Sequence, residues 1–109
     1  MRTLKFVVDG LKIEKDPNCD FDNLVPGTEG YLQAVFSFSS EWQGCNKVAA
    51  FFSMTGKEYE PQILEDGKSC IIPAEALKKR RFKIQVLGKK EGFGLVTSKV
   101  TVSQNGGKV

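Results

Sequence analysis

The sequence predicts an all-β fold, an immunoglobulin-like β-sandwich of about seven or eight strands with at most one short helical turn. Three observations carry that expectation. Apolar and polar residues alternate with a period of two, most cleanly where Leu32, Ala34, Phe36 and Phe38 share one face and Tyr31, Gln33, Val35 and Ser37 the other. Turn signals recur at roughly 8–12-residue intervals. Long helical patterns alternating with strands are absent, which excludes a doubly wound α/β fold. With 109 residues the chain is expected to make one domain over 1–105, followed by a flexible tail at 106–109. A chain of this size buries roughly two-thirds of its unfolded surface and needs no staple.

The first strand is expected at Thr3–Asp9, turning at Asp9-Gly10 into Leu11–Glu14. Residues 15–29 are polar, with Pro17, Asn18, Pro26 and Gly27, and form an irregular connection. Gly30–Ser39 is the clearest strand. After a turn at Trp42, Asn46–Ser53 is apolar on both faces, as a central strand is. Thr55-Gly56-Lys57 turns the chain into Lys57–Leu64, where Pro61 demands an edge or a bulge. Glu65-Asp66-Gly67-Lys68 reads as a hairpin turn leading to Ser69–Ile72. Proline is well placed to start one helical turn at Pro73–Leu77. Arg81–Gly88 alternates with Phe82, Ile84 and Val86 inward, Gly92 and Gly94 mark a turn, and Leu95–Ser103 closes the fold. The expected core is Leu32, Ala34, Phe36, Phe38, Val48, Ala50, Phe52, Phe82, Ile84 and Val86, with Trp42 plugging one end.

Composition argues against chemistry. Histidine is absent, which removes the commonest general base and metal ligand. No serine has a nucleophile-elbow context, and nothing in the sequence brings Glu41 and Glu75 together as a carboxylate pair. The protein is therefore expected not to be an enzyme and to carry no cofactor. Cys19, Cys45 and Cys70 are odd in number and widely spaced, which points to free thiols in a reducing compartment. The order Cys19, Trp42, Cys70 occurs in disulfide-linked immunoglobulin domains, but Cys19 falls in a turn-rich segment rather than in mid-strand. Asp16, Asn18, Asp20 and Asp22 have the every-second spacing of a calcium loop. Phe21 and Gly27, however, stand where that loop needs glycine and a bidentate glutamate, so an Asx-rich turn is expected and no metal.

The charge is lopsided. Residues 1–67 hold 6 basic and 11 acidic side chains, a net of −5, and residues 68–109 a net of +8. Lys78, Lys79, Arg80, Arg81 and Lys83, with Lys89 and Lys90, form the candidate interaction surface. Such a run also resists unwanted strand pairing at an edge. No recognition helix, zinc motif or pair of stacking aromatics accompanies it, so nucleic acid is not the expected partner. No apolar run reaches the roughly 20 residues that span a bilayer, and the N-terminal run is a strand rather than a secretion signal. No membrane is expected, and synthesis in a cytoplasm is.

One set of residues is specific enough to suggest relatives. Phe36-Ser-Phe-Ser-Ser-Glu-Trp-Gln-Gly44 has the pattern F-x-F-S-x-E-W-x-G. It is followed by Lys47–Phe51, by Tyr59, by Glu65-Asp66-Gly67, by Cys70–Leu77 as C-x-[IV]-P-x-E-x-L, by Phe82–Gly88 and by Val96-Thr97. This resembles small β-sandwich modules encoded among the structural genes of tailed bacteriophages and prophages of Gram-positive bacteria. The Lys78–Arg81 run and the Gly92/Gly94 loop depart from that pattern. The resemblance implies a non-enzymatic virion structural or attachment protein of tail, baseplate, fibre or head. It implies assembly in the host cytoplasm and location in the virion, with other phage structural proteins, and further copies of itself, as partners. Two other classes stay open on the residues alone. One is a small phage regulator or inhibitor binding a host protein or nucleic acid through the basic C-terminal half. The other is a carbohydrate-binding module using Tyr31 or Tyr59.

Overall fold

The computed structural model describes residues 1–105. The tail expected at 106–109 lies outside the described residues. Nine strands form two sheets packed into a sandwich. The first sheet contains β1 (Arg2–Asp9), β2 (Lys12–Lys15), β3 (Leu32–Phe38) and β6 (Ser69–Ile71), in the order β2-β1-β3-β6. The second contains β4 (Asn46–Phe52), β5 (Gln62–Ile63), β7 (Arg81–Lys90), β8 (Phe93–Val96) and β9 (Val100–Ser103). Its order is β5-β4-β7-β8, with β9 also on β7. A 3-10 turn at Ser40–Trp42 and one helical turn, α1 (Ala74–Leu77), interrupt the strands. The all-β sandwich expected from the sequence is the observed fold.

Local chemistry places the turns. Asp9 pairs with Lys12, so Gly10 and Leu11 make a two-residue hairpin, and Gly10 supplies φ +61° at its first position. β1 and β3 pair in parallel from Arg2↔Leu32 to Val8↔Phe38, which requires the long connection between β2 and β3 to return the chain to its starting end. The Glu65–Lys68 turn is not a hairpin. It carries the chain from β5 in one sheet to β6 in the other, because the Asp66 carboxylate accepts the N–H groups of Lys68 (3.0 Å) and Ser69 (2.7 Å) and bends the backbone between sheets.

The late strands differ in extent from expectation, and β7 runs on past Gly88 to Lys90. Lys57–Leu64 is reduced to a bridge from Glu58 to Phe52 and the two-residue β5, because Pro61 cannot donate to a ladder. Gly94 lies within β8, not in the turn. Leu95–Ser103 breaks at Thr97, which accounts for a strand more than expected. The buried Thr97 hydroxyl accepts the Val86 N–H at 3.0 Å and donates to the Ser98 carbonyl at 2.7 Å, holding the break against β7.

The core follows the alternation with one phase error. Leu4, Phe6, Val8, Leu32, Ala34 and Phe36 from one sheet face Phe82, Ile84, Val86 and Val102 from the other. Phe38 is only partly buried but packs against this cluster. On β4 the residues that join the core cluster are Ala49 and Phe51; Ala50 is buried as expected, but on the opposite face, together with Val48 and Phe52, which are only partly buried. Ala49 pairs with Val86 and Phe51 with Ile84, so both share the inward face of β7. A strand apolar on both faces carries no period-two signal to set its phase. Trp42 does close one end: it is fully buried, its Nε1–H donates to the Gly10 carbonyl at 2.8 Å, and its ring lies 5.2 Å from that of Phe38.

Candidate functional site

The residues singled out by charge do not lie together. β7 rises about 3.3 Å per residue, so its ends stand roughly 26 Å or more apart, with Lys78–Arg81 at one end and Lys89-Lys90 at the other. Alternation puts Arg81, Lys83 and Lys89 on the outward face of β7, opposite to Phe82, Ile84 and Val86. Lys90 has the other parity. Its ammonium donates to the Gln43 carbonyl at 2.9 Å and sits 4.8 Å over the Phe93 ring, a local clasp beside the Trp42 end. Lys78 is paired with Glu75 at 3.3 Å on the exposed surface.

That outward face holds what charge alone did not reveal. Ile63, Val48, Leu87 and Val96 are consecutive cross-strand partners on β5, β4, β7 and β8. They form one apolar row across four strands, exposed at Ile63, Leu87 and Val96 and half-buried at Val48. Ile63 is 67% exposed, Val96 50% and Leu87 37%. Two same-face steps along β4, past the buried Ala50, Phe52 lies under Lys99, whose ammonium is 4.1 Å from the ring centre. Lys83 and Lys89 stand on the same face, and Glu58 is the cross-strand partner of Phe52 at its edge. The signal is present in the sequence as the doubly apolar β4, whose Val48–Ala50–Phe52 face, expected inward, is the outward one.

The backbone around the Lys78–Arg81 corner is clamped from inside. Gln104 is 1% exposed, and its amide donates to the carbonyls of Leu77 (2.9 Å) and Lys79 (2.7 Å). Its backbone N–H donates to the Arg80 carbonyl at 2.6 Å. Gln104 Oε1 has no hydrogen-bond partner among the described residues. Lys79, Arg80 and Arg81 line a cleft together with Ser53, Met54 and Thr55 from the turn after β4. On the other side Arg80 and Arg81 border a second cleft with Ser103 and Asn105.

The remaining candidates resolve into structural roles. The Asp16 and Asp20 carboxylates accept the N–H groups of Asn18 (2.9 Å) and Asp22 (2.7 Å), which makes two Asx turns. The Arg2 guanidinium ties that connection down through the carbonyls of Asp20, Asp22 and Asn23. No group of three or more His, Cys, Asp or Glu side chains able to hold a metal occurs among the described residues. Glu41 and Glu75 sit at opposite ends, one in the Trp42 turn and one in α1. Tyr31 is exposed, but Tyr59 is buried, so the two make no sugar-stacking platform.

Cys19, Cys45 and Cys70 are free. Burial, reinforced by the Asp66 charge, pushes the Cys70 thiol up to about 12, which keeps it protonated and unreactive at neutral pH. The Ser69 hydroxyl and the N–H groups of Lys68 and Ser69 hold the Asp66 carboxyl down at about 2. No helix among the described residues is long and apolar enough to cross a membrane. Comparison with protein-family models, with curated proteins and with solved structures found no match to this chain.

Proposed function

We propose that this protein is a non-enzymatic binding module that acts by surface complementarity, as a structural or attachment component of a tailed-phage particle. The observation that carries the binding role is the exposed row Ile63–Val48–Leu87–Val96 on the outward face of the larger sheet. A contiguous apolar strip left in water on an otherwise well-buried sandwich is the usual mark of a protein contact. The lysines beside it, Lys83, Lys89 and Lys99, select a partner surface that is apolar at its centre and acidic at its rim. The phage setting rests on the likeness of Phe36–Gly44 and Cys70–Leu77 to modules of tailed-phage particles. The all-β sandwich is compatible with it.

The test is made on particles. Purified virions from a host carrying the gene are expected to contain the protein by mass spectrometry. Leu87→Glu with Val96→Glu is expected to abolish its incorporation while the isolated variant keeps its β-sheet circular dichroism. Particles free of the wild-type protein would overturn the phage role, and normal incorporation of the double variant would overturn the choice of face.

A further inference from the structure

We infer that the cleft between the Ser53–Thr55 turn and the Lys79–Arg81 corner is a binding site for a phosphate group. Two arginines and one lysine line it opposite a turn that carries two hydroxyl side chains. None of the three cations is in an ion pair among the described residues: the pairs present are Lys12–Glu14 and Lys78–Glu75. The nearest acid along the turn, Glu58, pairs with none of them. Three consecutive positive charges held on one fixed corner repel one another, and an anion between them removes that cost.

The corner is also built more firmly than a solvated edge needs. The buried Gln104 amide spends both donor hydrogens on the carbonyls of Leu77 and Lys79, and its N–H holds Arg80. That clamp fixes the backbone from which all three cations project. The opposite wall is fixed as well. Ser53 Oγ accepts the Lys57 N–H at 3.0 Å, and the Ser53 and Thr55 hydroxyls lie 2.9 Å apart. Those two hydroxyls share one hydrogen between them, which leaves the other free to donate into the cleft.

The donor set favours phosphate over carboxylate. A carboxylate spreads one charge over two oxygens, and one bidentate guanidinium satisfies it. A phosphate monoester carries a charge of about −1.5 to −2 on three terminal oxygens and uses two guanidiniums, an ammonium and a hydroxyl together. A free phosphorylated small molecule offers that monoester, whereas a nucleic-acid backbone offers phosphodiesters with one charge on two non-bridging oxygens each, and the test separates the two sources. This site is separate from the apolar row and does not depend on the phage assignment.

The test is an amide-resolved NMR titration of the intact protein with inorganic pyrophosphate, with succinate, and with a short thymidine oligonucleotide. Pyrophosphate is expected to shift the amides of residues 53–57 and 79–82 selectively. Arg80→Gln with Arg81→Gln is expected to weaken that binding by about tenfold or more, and Lys89→Gln to leave it unchanged. A thermal melt of the double variant checks that the fold is kept, and Ser53→Ala, which leaves every cation in place, gives a second reading of the same cleft. Saturation by pyrophosphate with no tighter binding of the oligonucleotide assigns a small phosphorylated ligand. Tighter oligonucleotide binding that is lost in the arginine variant assigns a nucleic-acid backbone. Equal affinity for succinate, or shifts spread evenly over Lys5, Lys12 and Lys89, would overturn the site.

Discussion

Gly88 has an ordinary backbone conformation, so what it contributes is space. A methyl group added there would fall 2.6 Å from the ring of Trp42 and 3.3 Å from Cys45 Cβ. The indole is fully buried and tethered by its N–H to the Gly10 carbonyl, so it cannot swing aside without breaking that bond. Gly88→Ala is therefore expected to destabilise the protein by about 1–3 kcal/mol, the range for overpacking a filled core. Urea unfolding followed by tryptophan fluorescence measures both the loss and the disturbance of the indole. A variant as stable as wild type would show that the Trp42 end is loosely packed. The pairing also explains why F-x-F-S-x-E-W-x-G and a glycine within β7 occur in one sequence: the second makes room for the first.

At the scale of the element, β4 shows where sequence reading stops. β3 and β7 alternate strictly, and their inward residues Leu32, Ala34, Phe36, Phe82, Ile84 and Val86 were legible because a one-residue slip would expose them all. In β4, Val48-Ala-Ala-Phe-Phe52 is apolar at every position, and only its register against β7 selects Ala49 and Phe51. The parallel β1–β3 pair and the sheet-crossing turn at Asp66 were also out of reach, because each depends on contacts distant in sequence. The candidate surface was legible only in part. Charge pointed to the right strand, but the apolar row exists only once four strands are set side by side. The phase of β4 gives a sharp contrast between adjacent residues. Phe51→Ala is expected to cost about 3–5 kcal/mol, as for a fully buried phenylalanine. Phe52→Ala, half-buried beneath Lys99, is expected to cost about 1 kcal/mol, since much of its ring already meets water. Chemical denaturation of the two variants checks it, and a larger loss at Phe52 would reverse the assignment of faces.

For the whole molecule the question is why an exposed apolar row does not pair with its own copy. An isologous contact would lay the outward sheet of one chain on that of another. It would bring Lys83, Lys89 and Lys99 of one copy against the same lysines of its mate, with Glu58 the acid at the edge of the row. Like charges forced together across an interface cost more than a narrow apolar strip returns. The net charge of +3 adds repulsion at any approach. Screening is the lever that exposes this balance, because about 1 M salt shortens the reach of exposed charges to roughly 3 Å and leaves the apolar contribution in place. The isolated protein is accordingly expected to sediment as a monomer at low ionic strength and to associate weakly as salt is raised. Leu87→Glu is expected to abolish that association, and Lys99→Glu to bring it on at lower salt. A dimer that is stable at low salt and dissociates as salt rises would mean that opposite charges, not the apolar row, hold copies together, and would move the self-contact to the acidic connection between β2 and β3.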